Sequence, residues 1–217
     1  GKLIFKKGLK LDDLPLRMST YEIQGNADYS AVNIRIDDHR YYFDWKNSSS
    51  RINDITSALA GLHNVENAIA AISVARILNV PDDKIKAALA SYEGVRRRFD
   101  YQVRGKSVVY IDDYAHHPEE LRAAITAAKQ LYPDKKVMGI FQPNLFTRTR
   151  DFADGFAESL DLLDVCVLLE IYPAREKPIK GINSQMLLDK MKCEQKFLVK
   201  KENVIEFLKT HQPEVVM

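Results

Sequence analysis

The stretch Val108–Glu120, which reads VVYIDDYAHHPEE, gives the strongest indication of the fold. Its first four residues are apolar and predict a buried strand, and the polar residues after them predict a turn. Pro118 suits the first position of a helix, where its missing N–H costs no hydrogen bond. Ligands of open α/β sheets bind at the carboxyl ends of strands. We therefore expect a functional site within Asp112–His117.

The same order of strand, loop and helix continues to the end of the chain. It predicts an α/β fold with a mostly parallel sheet and helices on both faces. A last apolar run, Glu214–Met217, predicts one more strand, and because the chain stops there we expect it to be part of something longer. The predicted strands are Val108–Ile111, Lys136–Phe141, Val165–Ile171 and Phe197–Val199, and the predicted helices are Pro118–Leu131, Thr149–Leu163, Ser184–Met191 and Asn203–Leu208.

The N-terminal part has a different pattern. Short segments rich in β-branched and aromatic residues predict strands, with a hairpin turn at Asp37-Asp38, and two helices follow at Leu62–Asn79 and Pro81–Ala90. The pattern changes at the basic run Gly94–Phe99, GVRRRF, so we predict two domains, residues 1–93 and 94–217. The predicted strands are Leu3–Phe5, Tyr21–Ile23, Ala31–Ile36 and Tyr41–Trp45.

Composition excludes several classes of protein. With 46% hydrophobic and 29% charged residues the chain can bury a core, and a net charge of +2 gives no reason to expect a nucleic-acid partner. No apolar run approaches the roughly 18 residues of a membrane span, and the N-terminus lacks the apolar region of a signal peptide. We expect a cytoplasmic protein without a membrane partner.

Two groups of residues outside the opening stretch could bind a nucleotide. His63, Asn64 and Asn67 fall in the first turns of a predicted helix, where amides could read the edge of a purine, or could simply cap the helix. The arginines of Arg96–Phe99 could bind phosphate, or could form a solvated linker.

The loops after three successive strands all carry ionisable side chains. Asp112–His117 admits a metal site, a carboxylate that bonds ribose hydroxyls, a histidine base, or plain turn chemistry. In the next loop, Gln142–Arg150, Arg148 and Arg150 could take a carboxylate or a phosphate, or could be surface residues. Ile171–Ser184 is a third polar loop on the same edge. The sequence contains no phosphate-binding P-loop, dinucleotide fingerprint, nucleophile elbow or H-E-x-x-H zinc motif.

Five longer motifs follow one another along the chain: GLHNVENAIAAISVA (61–75), GVRRRF (94–99), DDYAHHPEE (112–120), FQPNLFTRTRDF (141–152) and YPAREKPIKGINS (172–184). Their order resembles that of the Mur ligases, and the last three most resemble the alanine-adding members. The resemblance implies the C-terminal part of a central ATPase domain, followed by a Rossmann-like C-terminal domain. The P-loop, the Mg²⁺ ligands and the sugar-nucleotide domain would then lie upstream of this chain.

The reaction that the resemblance implies is the ATP-dependent joining of L-alanine to UDP-N-acetylmuramate through an acyl phosphate, in peptidoglycan synthesis. Catalysis would rest on positioning and charge stabilisation. The incoming amino acid would be held by Tyr114, His116 and Arg148, of which His116 and Arg148 are the candidate catalytic residues. By motif position, His63, Asn64 and Asn67 resemble adenine-side residues, Arg98 resembles an arginine that meets the ATP phosphates, and Asp112 resembles the residue that bonds ribose.

The chain departs from the family pattern after Gln142-Pro143. Many alanine-adding members have His-Arg-Tyr there, whereas this chain has Asn144, Leu145 and Phe146, so Arg148 becomes the expected carboxylate partner. His117 has no assigned role beyond capping the helix. We expect these 217 residues to be inactive alone. The alternatives are a ligase that adds a preformed peptide for cell-wall recycling, a non-catalytic nucleotide-binding module, and a metal-dependent hydrolase that uses Asp112, Asp113, His116 and His117.

Overall fold

The computed structural model describes residues 1–11 and 16–217. Within them the chain forms two compact units, Gly1–Gly94 and Val95–Met217. No helix in this described part is both long and apolar enough to cross a bilayer.

The first unit contains a sheet with the strand order β1-β2-β3-β4-β5. The first three strands run parallel to one another, and β3, β4 and β5 form antiparallel pairs. Two helices follow, and α1 packs on the sheet. The bounds are β1 Lys2–Lys6, β2 Arg17–Ile23, β3 Tyr29–Asp37, β4 Arg40–Lys46, β5 Arg51–Ser57, α1 Leu62–Ile77 and α2 Asp82–Ser91.

The four predicted N-terminal strands are confirmed, but the turn and one strand differ from the prediction. The hairpin turn consists of Asp38 and His39, with φ of 43° and 56°, one residue later than predicted. Positive φ at both positions gives a two-residue turn the twist that a hairpin needs. Strand β5 was not predicted. Its alternation is broken at Asp54, where φ is 54°, so its buried residues do not follow a period of two.

Helix α1 is fixed to the sheet by a buried polar contact. The indole N–H of Trp45 on β4 donates to the hydroxyl of Ser73 on α1 at 3.1 Å, and that hydroxyl donates to the carbonyl of Ile69 at 2.6 Å. Both Trp45 and Ser73 are fully buried, and Tyr29 stacks on the indole with a centroid distance of 5.7 Å. Burial of a polar atom requires a partner, so this contact fixes where α1 lies on the sheet.

The second unit contains a sheet with the order β10-β9-β8-β11-β7-β6. Only β6 is antiparallel to its neighbour, so the predicted α/β fold with a mostly parallel sheet is confirmed. The strands are β6 Asp100–Arg104, β7 Val109–Asp112, β8 Val137–Phe141, β9 Val165–Leu168, β10 Lys196–Leu198 and β11 Val215–Val216. The helices are α3 Pro118–Leu131, α4 Phe146–Asp151, α5 Ala153–Leu160, α6 Ser184–Lys190 and α7 Val204–His211, the last preceded by the short 3₁₀ segment Lys201–Asn203.

Alternate residues of β8 point to opposite faces of this sheet, as the pleat requires. Met138 packs on the face of the sheet that also contacts α7. Gly139 lies on the opposite face, where its nearest neighbour is the side chain of Leu163. The last strand, β11, lies between β7 and β8 and pairs with both. The run Glu214–Met217 therefore completes the middle of the sheet.

One predicted helix, Thr149–Leu163, is wrong in its extent. The structure has two helices there, α4 and α5, which meet at Phe152, where φ is −114°. The periodicity of Phe152, Phe156 and Leu160 describes α5 well, but α4 begins earlier, at Phe146. Nothing in the apolar pattern marks that earlier start, because the first residues of α4 are mainly polar.

The contact between Trp45 and Ser73 predicts the cost of removing the hydroxyl. Ser73→Ala leaves a buried indole N–H without an acceptor, so the free energy of unfolding falls by about 1–3 kcal/mol. Urea denaturation followed by tryptophan fluorescence measures this directly, because the chain has one tryptophan. Ser91→Ala, at an exposed position in α2, is the matched control and changes stability by about 0.5 kcal/mol or less. Equal midpoints for the two variants would contradict the prediction.

Candidate active site

Three loops leave the carboxyl ends of β7, β8 and β9 in the second unit, and two of them are joined directly. Asn144 and Tyr172 form an isolated parallel bridge. The N–H of Leu145 donates to the carbonyl of Tyr172 at 3.0 Å, and the N–H of Tyr172 donates to the carbonyl of Pro143 at 2.8 Å. The loops after β8 and β9 therefore form one surface.

The loop after β7 is organised by Asp113. Its two carboxylate oxygens accept separate backbone hydrogen bonds, from Phe99 at 2.7 Å and from Ala115 at 2.8 Å. The N–H of Tyr114 donates to the carbonyl of Arg97 at 2.7 Å. These bonds hold the basic segment before β6 against the loop after β7. In the sequence-based prediction Asp113 belongs only to the metal-dependent hydrolase alternative, and nothing in the sequence indicates that it holds the backbone.

The two neighbouring arginines contact different carboxylates. Arg97 lies with its Nε 3.3 Å from Asp112 and its guanidinium 4.9 Å from the centre of the Tyr114 ring. Arg98, the predicted phosphate arginine, lies 3.5 Å from Glu120 and 6.0 Å from the same ring. Both arginines are more than half exposed. Arg97, which was predicted only as part of the basic run that precedes β6, is thus in the same cluster as Arg98, Asp112 and Tyr114.

His116 is held by Glu120, which lies in the first turn of α3. The backbone N–H of His116 donates to Glu120 at 3.0 Å, and its Nδ1 lies 3.2 Å from the same carboxylate oxygen and 3.2 Å from the carbonyl of Tyr114. Partial burial raises the pKa of Glu120, but the His116 N–H, the His116 imidazole and Arg98 together lower it below its ordinary value. Glu120 was not among the predicted site residues, yet it orients a candidate catalytic residue.

His117 is the N-cap residue of α3, as expected, but it does not cap the helix with its side chain, which accepts no hydrogen bond from the helix. Its ring packs edge-on against Phe152 at a centroid distance of 4.6 Å. His117 and Phe152 lie far apart in the sequence, so their contact could not be predicted from the local pattern around the helix start.

Arg148 is the third residue of α4, and the N-cap residue of this helix, Leu145, has a strained backbone. Leu145 has φ of 72° and ψ of 133°, outside the region that a leucine ordinarily adopts. Its carbonyl accepts hydrogen bonds from the N–H of Thr149 at 3.1 Å and from the buried Thr149 hydroxyl at 2.8 Å. Arg148 is half-buried and forms no ion pair with the residues that the structure describes, whereas Arg150 pairs with Asp151.

The predicted adenine-side residues belong to the first unit. His63, Asn64 and Asn67 lie in the first two turns of α1, after Gly61, whose φ of 95° suits glycine. The simpler expectation, that an asparagine caps this helix, is wrong, because the N-cap residue is Gly61, which has no side chain to form a capping hydrogen bond. The amide nitrogen of Asn64 instead donates back to the carbonyl of Ala60 at 2.6 Å. His63 and Asn67 are exposed.

The four residues of the proposed metal-dependent hydrolase do not converge on an ion. Asp113 is occupied by two backbone N–H groups, and His117 packs on Phe152. Across residues 1–11 and 16–217, no group of three or more His, Cys, Asp or Glu side chains is arranged to hold a metal.

The second unit is an α/β domain whose strand-end loops carry arginines, carboxylates and a held histidine, and the comparison with known families gives its class. Residues 97–216 match the glutamate ligase domain of the Mur ligases. The chain belongs to the Mur ligase family.

Curated relatives with high sequence identity to the chain share one name within this family. The chain is 46% identical over 205 residues to a UDP-N-acetylmuramate–L-alanine ligase from Flavobacterium johnsoniae, covering 94% of the chain and 46% of that protein. It is also 46% identical over its whole length to the enzyme of the same name from Christiangramia forsetii, covering 47% of it. A solved UDP-N-acetylmuramate–alanine ligase from Thermotoga maritima superposes with a TM-score of 0.75 at 25% identity, covering 91% of the chain and 43% of that structure. The chain thus spans about half the length of the relatives it matches.

The geometry around Asp113 predicts unequal effects of two neighbouring substitutions. Asp113→Asn replaces a two-acceptor carboxylate with an amide that has one acceptor, so one backbone N–H faces a donor and the free energy of unfolding falls by about 1–3 kcal/mol. Asp112→Asn, the matched control, loses only a partly exposed ion pair and costs about 1 kcal/mol or less. Urea denaturation followed by circular dichroism compares them, and a larger loss for Asp112→Asn would refute this account.

The lowered pKa of Glu120 predicts a pH-dependent contribution to stability. Because the folded state binds the proton more weakly than the unfolded state, the contribution is present at pH 7 and is lost as pH falls through the pKa of the folded state. Glu120→Gln therefore lowers stability at pH 7 by about 0.5 kcal/mol, since the pair is partly exposed, and the difference shrinks below about pH 4. Glu119→Gln, which removes an exposed carboxylate from the same turn of the helix, is the control. A loss of stability in Glu120→Gln that is the same at pH 7 and at pH 3 would refute this account.

Proposed function

We propose that this chain supplies the part of an ATP-dependent ligase that closes on the nucleotide and holds the incoming amino acid, and that the ligase joins L-alanine to UDP-N-acetylmuramate in peptidoglycan synthesis in the cytoplasm. The observation that carries the proposal is the 46% identity, over nearly all of the chain, to relatives that share this name. The arrangement of Arg98, Asp112, His116 and Arg148 on one sheet edge supports it.

In the proposed reaction, ATP supplies the phosphoryl group that activates the muramoyl carboxylate as an acyl phosphate. The amino group of L-alanine then attacks that carbonyl, and phosphate leaves. Such chemistry depends on positioning and on stabilisation of developing charge. The task of this chain would be to bind the two substrates in the correct orientation.

The residues of the first unit fit the adenine side of ATP. His63 and Asn67 present exposed polar groups at the start of α1. Asn64 has its amide nitrogen committed to Ala60, which leaves its carbonyl oxygen as the group that could accept a hydrogen bond from an adenine amino group.

The residues of the second unit fit the ribose, phosphate and amino-acid sides. Asp112 uses one carboxylate oxygen for Arg97, so the other could accept from a ribose hydroxyl. Arg98 is more than half exposed, and its guanidinium could turn from Glu120 towards phosphate.

Arg148 supports the amino-acid assignment. A half-buried guanidinium with no ion pair to a described residue is suited to a carboxylate ligand, which it can bind through two parallel hydrogen bonds. Tyr114 and His116 would complete that site, with His116 oriented by Glu120.

The Mg²⁺ that accompanies ATP in this reaction has no ligand set among the described residues. We propose that its ligands and the P-loop lie in the portion of the relatives that this chain does not span. These 217 residues alone would then lack ligase activity.

Substitution of Arg148 tests the proposal in the full-length ligase, assayed by phosphate release that requires ATP, UDP-N-acetylmuramate and L-alanine together. Arg148→Ala raises the KM for L-alanine by about tenfold to a hundredfold, and Arg148→Lys restores little, because a lysine cannot reproduce the planar fork of a guanidinium. Arg122→Ala on α3 is the control and leaves this KM unchanged.

Three outcomes would contradict the proposal. Turnover with a preformed peptide in place of L-alanine would favour the recycling ligase. ATP binding with no turnover would favour a nucleotide-binding module. Ligation by these 217 residues alone would show that the missing P-loop is not needed.

A further inference from the structure

The N-terminus of α4 is closed by a carboxylate from a different loop. Glu176, in the loop after β9, accepts a hydrogen bond from the backbone N–H of Thr147 at 3.0 Å through one oxygen and from the Thr147 hydroxyl through the other. These bonds, with a further one from the Phe146 backbone and the charge of Arg150, lower the pKa of Glu176. Glu176 is therefore ionised at neutral pH while it holds the first turn of the helix.

Helix α4 depends on such external contacts for its direction. It has six residues, too few for a helix to be stable alone in water. Its N-cap residue is Leu145, whose positive φ is unfavourable for a leucine. Hydrogen bonds with Tyr172 and Thr149 hold the backbone of Leu145, and hydrogen bonds to Glu176 hold Thr147.

Arg148 immediately follows Thr147, so whatever fixes Thr147 also fixes the start of the Arg148 side chain. We propose that Glu176 is a positioning residue: by holding the first turn of α4, it directs the Arg148 guanidinium towards the carboxylate of the incoming amino acid. This inference rests on the proposed function, because it assumes that Arg148 binds that carboxylate. Glu176 itself touches no substrate.

A positioning role differs from a purely structural one in its kinetics. In the full-length ligase, Glu176→Ala raises the KM for L-alanine about tenfold, while the KM for ATP stays within about twofold. Glu176→Gln retains one acceptor oxygen and gives an intermediate KM for L-alanine. Glu170→Gln is the matched control, because it removes an exposed carboxylate from the start of the same loop, and it leaves both KM values unchanged.

A second measurement uses the 217-residue chain itself. In Glu176→Ala, hydrogen exchange at the Thr147 amide accelerates, since that N–H loses its acceptor, whereas amides of α3 keep their protection. Thr147→Val removes only the hydroxyl contact. It raises the KM for L-alanine less than Glu176→Ala does, and it adds little to the effect of Glu176→Ala in the double variant.

The possible results separate the inference from the proposed function. If the ligase does not use L-alanine, the proposed function is wrong, and with it the premise of the inference. If the ligase uses L-alanine but Glu176→Ala leaves its KM unchanged, or raises the KM values for L-alanine and ATP equally, Glu176 is not a positioning residue. Should Glu176→Ala fail to fold, the KM for L-alanine in Glu176→Gln and Thr147→Val decides in the same way.

Discussion

The candidate site in the second unit depends on the carboxylate of Asp113. By accepting from the backbone of both Phe99 and Ala115, it joins the segment that precedes β6 to the loop that follows β7. The bond from the Tyr114 N–H to the Arg97 carbonyl joins the same two segments. Such bonds matter because loops carry few contacts of their own. With Asp113 in place, Arg97 reaches Asp112 and Arg98 reaches Glu120. A backbone constraint thus assembles the charged cluster, and the ion pairs within it, being exposed, contribute little to its stability.

The other two loops are assembled by the same kind of interaction. Backbone bonds join Leu145 to Tyr172, and Glu176 binds the backbone of Thr147. In each case a carboxylate or carbonyl satisfies N–H groups that a loop or helix start leaves unpaired. Arg148, which has a proposed substrate role, therefore lies on a segment whose backbone is held by residues without a proposed substrate role.

The strands and helices could be predicted from sequence where their pattern is local and periodic. Helix α3 was predicted with its observed bounds, because Pro118 and a strong apolar stripe mark it. Strand β5 could not be predicted, because Asp54 interrupts the alternation of buried and exposed residues in it. The early start of α4 could not be predicted either. The family motifs led to Asp112, His116 and Arg148, but not to Asp113, Glu120 or Glu176. Those three act through hydrogen bonds to distant or backbone groups, which spacing along a sequence does not reveal.

The position of Leu145 shows why the departure from the family motif need not disturb the site. Many alanine-adding members carry arginine there, and leucine cannot bind a carboxylate. In the structure, however, position 145 contributes through its backbone: its N–H bonds Tyr172, and its carbonyl receives Thr149. None of these bonds involves the side chain, so the exchange of arginine for leucine removes one cation and leaves the start of α4 intact. Under the proposed function, Arg148, which forms no ion pair with a described residue, is the arginine of this motif that binds the amino-acid carboxylate. The orientation of α4 then matters more than it would with a second arginine at position 145.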